Sequence, residues 1–271
     1  MNFFSSPSLT TIKTNQNMST EITPQEKGNK GEKNEIQCKK QIFENKDNYE
    51  YLTGIFGQEA SSGIEIINPI TNAPYTSVEH IKKAAARSKA DLVIQFKQTE
   101  RVRYISMKSM SGAKPSLLNH TPRSAKTFKT TLQPVLGGID ELAKEYNQKR
   151  TNKEIGEDVA FSKLQCFSDE HVKSCFVNML SYFMFTGTGA RLTQNECDSI
   201  LIINKDNSIT FIDCDTDEKK NMYVLSILHK CVISFRDKGM PKPDKIGDEC
   251  LPWIYMNETN GKKCGSIHVR L

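Results

Sequence analysis

The sequence predicts an α/β fold in which a central mixed β-sheet is flanked by helices. Two observations carry that expectation. Pairs of short β-prone runs, 91–96 with 103–108 and 199–204 with 208–214, are each joined by a few polar residues and read as antiparallel hairpins. Around them lie segments with apolar residues at helical spacing. The strongest is 169–185, where Val172, Cys175, Phe176, Met179, Leu180 and Phe183 make one stripe that Ser168 caps.

From the N-terminus, residues 1–26 are rich in Ser, Thr, Asn, Pro and Gln, carry few large apolar groups and are expected to be a disordered tail. A helix follows over 31–44, with Ile36 and Phe43 on its apolar side and Glu35 off it. A short strand is expected at 63–67 and a helix at 77–88 that Ser77 caps. Gly112, Pro115 and Pro122 break the pattern after the first hairpin. Helices over 140–149 and 169–185, a second hairpin about Lys205-Asp206-Asn207, a helix over 218–237 and closing strands at 253–256 and 266–271 complete a single domain spanning 27–271.

Composition narrows the class. The eight cysteines have no close pairs and read as reduced thiols of an intracellular protein, cytoplasmic or nuclear. No run approaches the roughly eighteen apolar residues of a membrane span. The greasiest stretch, 176–185, is broken by Asn178 and Ser181, so no membrane partner is expected. The net charge of +5 is mild, but residues 97–129 hold eight basic side chains against the single acid Glu100. That segment is +7 and leaves the rest of the chain at −2. Such a concentration suits a phosphate-facing surface.

Chemistry gathers on the first hairpin. With its turn between Thr99 and Glu100, Asp91 stands opposite Lys108 and Val93 opposite Ser106. One face then carries Leu92, Ile94, Phe96, Ile105 and Met107, a core pattern, and the other brings Asp91, Ser106 and Lys108 together. Burying the first face fixes the register, because a one-residue slip inverts both. A carboxylate, a hydroxyl and an ammonium on two rigid strands suit phosphodiester hydrolysis. There a hard cation held by oxygen polarises the phosphate and activates water, and a lysine neutralises the charge that develops.

Ser88-Lys-Ala-Asp91, the apolar strand, the short turn and Ile105-Ser-Met-Lys108-Ser together resemble the D-X(n)-(D/E)-X-K core of the PD-(D/E)XK nucleases. Lys30-Gly-Glu-Lys-Asn-Glu35 is similar to the first helix of that superfamily. Within it the likeness is to type II restriction endonucleases such as MspI and its relatives, and it is clearest over 88–111. The resemblance implies a PD-(D/E)XK restriction-endonuclease-like fold and one or two magnesium ions (Mg2+). It implies Asp91 as a metal ligand, Lys108 as the catalytic lysine and Glu35 as an aid to metal binding. Met107 would offer its backbone carbonyl to the metal while its side chain stays in the core. Ser106 departs from the pattern, which has Asp or Glu there: either water completes the metal's shell, or Glu35 or another acid takes the place, or the nuclease is slow or dead; it is counted with the catalytic positions.

The partner so implied is double-stranded DNA. Lys114, Arg123, Lys126 and Lys129 are expected at its phosphates. Asn119-His-Thr-Pro-Arg123 is expected to be a DNA-contacting loop, with His120 within it and Arg123 the candidate for a guanine. Two other functions stay open: a repair or recombination nuclease that reads DNA structure, and a catalytically silent DNA-binding protein, motivated by Ser106. A homodimer is compatible with all three and follows from none.

Overall fold

The computed structural model of the chain describes residues 10–12, 30–82, 88–111, 114–119, 136–188, 191–192, 195–236, 254–257 and 263–271. The chain divides into two units, Met1–Pro115 with Thr193–Lys220 and Ser116–Leu192 with Asn221–Leu271. The sequence predicts one domain over 27–271. In chain order the strands are β1 (Thr10–Ile12), β2 (Ile64–Ile67), β3 (Leu92–Phe96), β4 (Val102–Ser109), β5 (Ser116–Asn119), β6 (Val159–Ala160), β7 (Gly187–Thr188) and β8 (Arg191–Leu192). They continue with β9 (Ser199–Ile203), β10 (Ile209–Asp213), β11 (Val232–Arg236), β12 (Ile254–Asn257) and β13 (Lys263–Arg270). The α-helices are α1 (Lys30–Glu44), α2 (Tyr49–Phe56), α3 (Leu136–Thr151), α4 (Glu170–Ser181) and α5 (Asp217–Ile227).

The first unit is built on a six-stranded sheet in the order β1-β10-β9-β4-β3-β2. Every pair is antiparallel except β4 with β9, which is parallel, so the sheet is mixed as the sequence predicts. Its core joins Leu92, Ile94 and Phe96 of β3, Ile105 and Met107 of β4 and Leu201 and Ile203 of β9 to Leu52 and Ile55 of α2 and Cys38 and Ile42 of α1. Helix α2 starts where the Asn48 side chain accepts the Tyr51 N–H at 3.1 Å. It stops at Gly57, whose φ of 78° is the left-handed conformation that a side chain disfavours.

Three expectations for this unit are corrected. Thr10–Ile12, within the tail expected to be disordered, pairs with β10. The buried side of α1 is set by Cys38, Lys39 and Ile42, with Ile36 only half-buried. Val78–His80 is a single 3-10 turn followed by extended Ile81, and Ser77 makes no capping bond, so the helix expected over 77–88 does not form there; 83–87 lie outside the described residues.

The second unit carries an antiparallel sheet in the order β12-β13-β11-β6, with β5 also paired to β13. Helices α3 and α4 pack together, and a side chain at Gly138 would put its Cβ 2.5 Å from that of Cys175, so this close approach requires glycine. Helix α4 is capped by Asp169, whose carboxylate accepts the N–H groups of His171 and Val172, where Ser168 was expected. The helix expected over 218–237 ends at Ile227, and Val232–Arg236 is instead a strand flanked by β13 and β6.

Candidate active site

Hairpin β3–β4 pairs Leu92 with Ile105, Val93 with Tyr104, Ile94 with Arg103 and Gln95 with Val102. The expected pairing of Asp91 with Lys108 is thus two residues off. The turn spans 97–100, closed by Phe96 N–H to the Arg101 carbonyl (3.0 Å) and Glu100 N–H to the Phe96 carbonyl (2.9 Å), with Glu100 at φ 56°. A shift by an even number leaves both faces unchanged. Leu92, Ile94, Phe96, Ile105 and Met107 are accordingly buried in the core, and Ser106 and Lys108 project from the other face of their strand.

Asp91 reaches this second face by a different route from the one expected. Its N–H donates to the Ile105 carbonyl at 2.9 Å although Leu92 is the partner of Ile105, so two residues oppose one, as in a β-bulge. The carboxylate is turned across the strand end. Oδ2 accepts the Met107 N–H at 2.8 Å and the Ser106 hydroxyl at 3.3 Å, and Lys108 Nζ donates to Ser106 Oγ at 3.0 Å. Lysine, serine and aspartate form one hydrogen-bonded chain, with Ser106 1% exposed. Asp91 Oδ1 takes no hydrogen bond from the described residues. The N–H and C=O of a strand residue point the same way, so the Met107 carbonyl is directed to the side on which its N–H meets Asp91.

Helix α1 brings Glu35 and Lys39, four residues apart on one face, to the same carboxylate. Burial, reinforced by the negative charge of Asp91, pushes Glu35 up to about 7, against the pull of Lys108, Lys39 and the Ser109 N–H. Burial lowers Lys39, while Asp91 and Glu35 act in the opposite sense. Lys89 is drawn down to about 8, first by burial and then by the nearby charge of Lys108. Asp91 and Lys39 also line a cleft of about 200 Å³ with Ile67, Tyr75, His80 and Lys82.

Among the described residues no group of three or more His, Cys, Asp or Glu side chains converges. The donors at hand are the free oxygen of Asp91, the Glu35 carboxylate and the Met107 carbonyl. An all-oxygen set fits a hard divalent cation in kind, and such a cation keeps water in its remaining positions. The mutual repulsion of Asp91 and Glu35 fits a bound cation too.

Three of the segment's basic residues are held in ion pairs and do not face an open phosphate surface. Lys97 pairs with Asp47 at 2.6 Å, and Arg101 with Asp215 at 2.9 Å and Glu59 at 3.4 Å. Arg103 is buried between Asp198, Asp213 and Ser199. Of the positions assigned to DNA, Lys114 is exposed, and His120, Arg123, Lys126 and Lys129 lie outside the described residues. The sequence reading missed Lys39, Lys89 and the cleft residues Tyr75, His80 and Lys82. The i,i+4 spacing of Glu35 and Lys39 was the one signal that could have found any of them.

No family model, no curated protein and no solved structure matches this chain. Fold and site together define an α/β protein with a mixed central sheet, in which β4, the residues entering β3 and helix α1 bring together a polar cluster of two carboxylates, a buried serine and several lysines. No helix among the described residues is long and apolar enough to cross a membrane.

Proposed function

We propose that the chain is a magnesium-dependent endonuclease of the PD-(D/E)XK, type II restriction-like kind that hydrolyses phosphodiester bonds in double-stranded DNA. The observation that carries this reading is the hydrogen-bonded chain Lys108–Ser106–Asp91 with Glu35 beside it. Asp91, Glu35 and the Met107 carbonyl would hold the ion, which when bound polarises the phosphate and acidifies a water. Lys108 donates to the phosphate oxygen on which negative charge builds. Ser106 holds that ammonium in place and ties it to Asp91, and the Met107 N–H fixes the Asp91 carboxylate so that its other oxygen faces outward.

One observation favours the silent DNA-binding alternative: Lys39, Lys89 and Lys108 already surround the carboxylates with positive charge. Incubating unmethylated plasmid with the protein in magnesium, in manganese and in EDTA decides. Discrete bands in metal alone support a restriction-like nuclease, and their sequenced ends define the site. Nicking confined to branched DNA supports a repair nuclease, and no cleavage of any duplex in either metal supports the binding module.

A further inference from the structure

Lys39 is 5% exposed, yet among the described residues its ammonium has no hydrogen-bond partner and no carboxylate within 4.0 Å. An ammonium on an otherwise buried side chain, with no bonded partner, is a place for an anion to bind. Asp91 and Glu35 act on it through space without bonding it. Lys39 lines the cleft together with Asp91, and Ile66, Ile67 and Val93 supply apolar lining while Tyr75, His80 and Lys82 supply polar groups. At about 200 Å³ the cleft is smaller than sites for drug-sized ligands, and its mixture of an aromatic ring, apolar surface and cations suits one base with its phosphate.

We propose that this cleft is a mononucleotide subsite, in which Lys39 binds a phosphate and Tyr75 with the apolar lining holds the base of the nucleotide next to the bond that is cut. The identity of the occupant rests on the nuclease reading. Lys82 and His80, both exposed, add to the phosphate side. An inorganic phosphate bound by Lys39 alone is the competing occupant.

The full chain in EDTA is titrated by calorimetry with the four deoxynucleoside monophosphates, the matching nucleosides and inorganic phosphate. At least one mononucleotide is expected to bind roughly tenfold or more tightly than inorganic phosphate, the difference being stacking of the base. Lys39→Met is expected to weaken mononucleotide binding by roughly ten- to a hundredfold and leave nucleoside binding unchanged, with partial rescue by Lys39→Arg. Ile67→Trp fills the cleft and is expected to abolish both kinds of binding. Thermal melts check each variant, and if Lys39→Met fails to fold, exposed Lys82→Ala must weaken mononucleotide binding in the same sense.

Phosphate binding as tight as any nucleotide, or nucleotide binding unmoved by the lysine substitutions, overturns the subsite. Plasmid cleavage keeps the two readings apart: nucleotide binding without cleavage leaves the subsite standing and overturns the nuclease, and cleavage without nucleotide binding does the reverse.

Discussion

Asp91 and Lys108 are the two ends of one hydrogen-bond chain and Ser106 is the link between them, so their substitutions separate by more than activity. Lys108→Ala is expected to lower magnesium-dependent cleavage by about a thousandfold or more with little change in stability. Asp91→Ala is expected to cost as much activity and also about 1 kcal/mol of stability, because the Met107 N–H loses its acceptor. Ser106→Ala frees both neighbours and is expected to cost roughly ten- to a hundredfold in rate. Plasmid cleavage rates beside urea denaturation check all three, and wild-type cutting by Asp91→Ala or Lys108→Ala would remove the site.

Glu35 makes the molecule sensitive to pH. Its carboxyl is raised from 4.5 to about 7 by burial and by Asp91, so between those values the folded protein holds a proton that the unfolded chain releases. The sign is therefore that stability is full below about 4.5 and falls as pH rises through about 7, by on the order of 2–3 kcal/mol. Urea denaturation at pH 5 and pH 8 is expected to show this loss in the wild type and not in Glu35→Gln. Millimolar magnesium at pH 8 is expected to restore part of it, since a cation that binds only the folded state raises its stability; an equal slope in both proteins would sink the assignment.

At the scale of elements, the ion pairs of β4 do structural work where the charge count pointed to DNA. Arg103 is 3% exposed and bonded to Ser199 and to the carboxylates of Asp198 and Asp213. Arg103→Met leaves Asp213 with Lys219 as its remaining cation and Asp198 with the Ser199 hydroxyl and the Tyr104 N–H, and is expected to cost about 3 kcal/mol, read by urea denaturation. The salt dependence of any DNA binding is expected to stay unchanged, because Arg103 meets no phosphate; a shallower salt slope in Arg103→Met would show the opposite.

What could be read in the sequence was parity, and what could not was partnership. The alternation along β3 and β4 put Ile105 and Met107 inward and Ser106 outward, and a turn placed one residue late left that unchanged. The reach of Asp91 was hidden, because a bulge depends on backbone hydrogen bonds rather than residue type. The neutralisation of Arg101 and Arg103 was hidden because Asp198, Asp213 and Asp215 are remote in the chain. Val232, Ile233 and Phe235 are good strand residues, but only the pairing of β11 with β13 and β6 distinguishes them from the end of a long helix.

At the scale of the whole molecule, neither unit is a continuous stretch of chain. The first takes β9 and β10 from residues that follow the 116–192 segment of the second, and these two strands stand between β4 and β1. A chain ended at Leu192 lacks half of the sheet's neighbours for β4 and exposes its unpaired edge. It is expected to show no cooperative urea transition for this unit by circular dichroism. A sharp transition in that fragment would mean that β1 to β4 suffice.

The parallel pairing of β4 with β9 also sets an order in time. On the ribosome the strand bearing Ser106 and Lys108 emerges with its neighbour still unmade, and it must wait while the 116–192 segment is synthesised before Ser199–Ile203 can lie beside it. A prematurely ended polypeptide therefore carries the residues of the polar cluster but not the strand that pairs with β4. The geometry of the cluster is thus expected to be completed only after most of the chain has been translated.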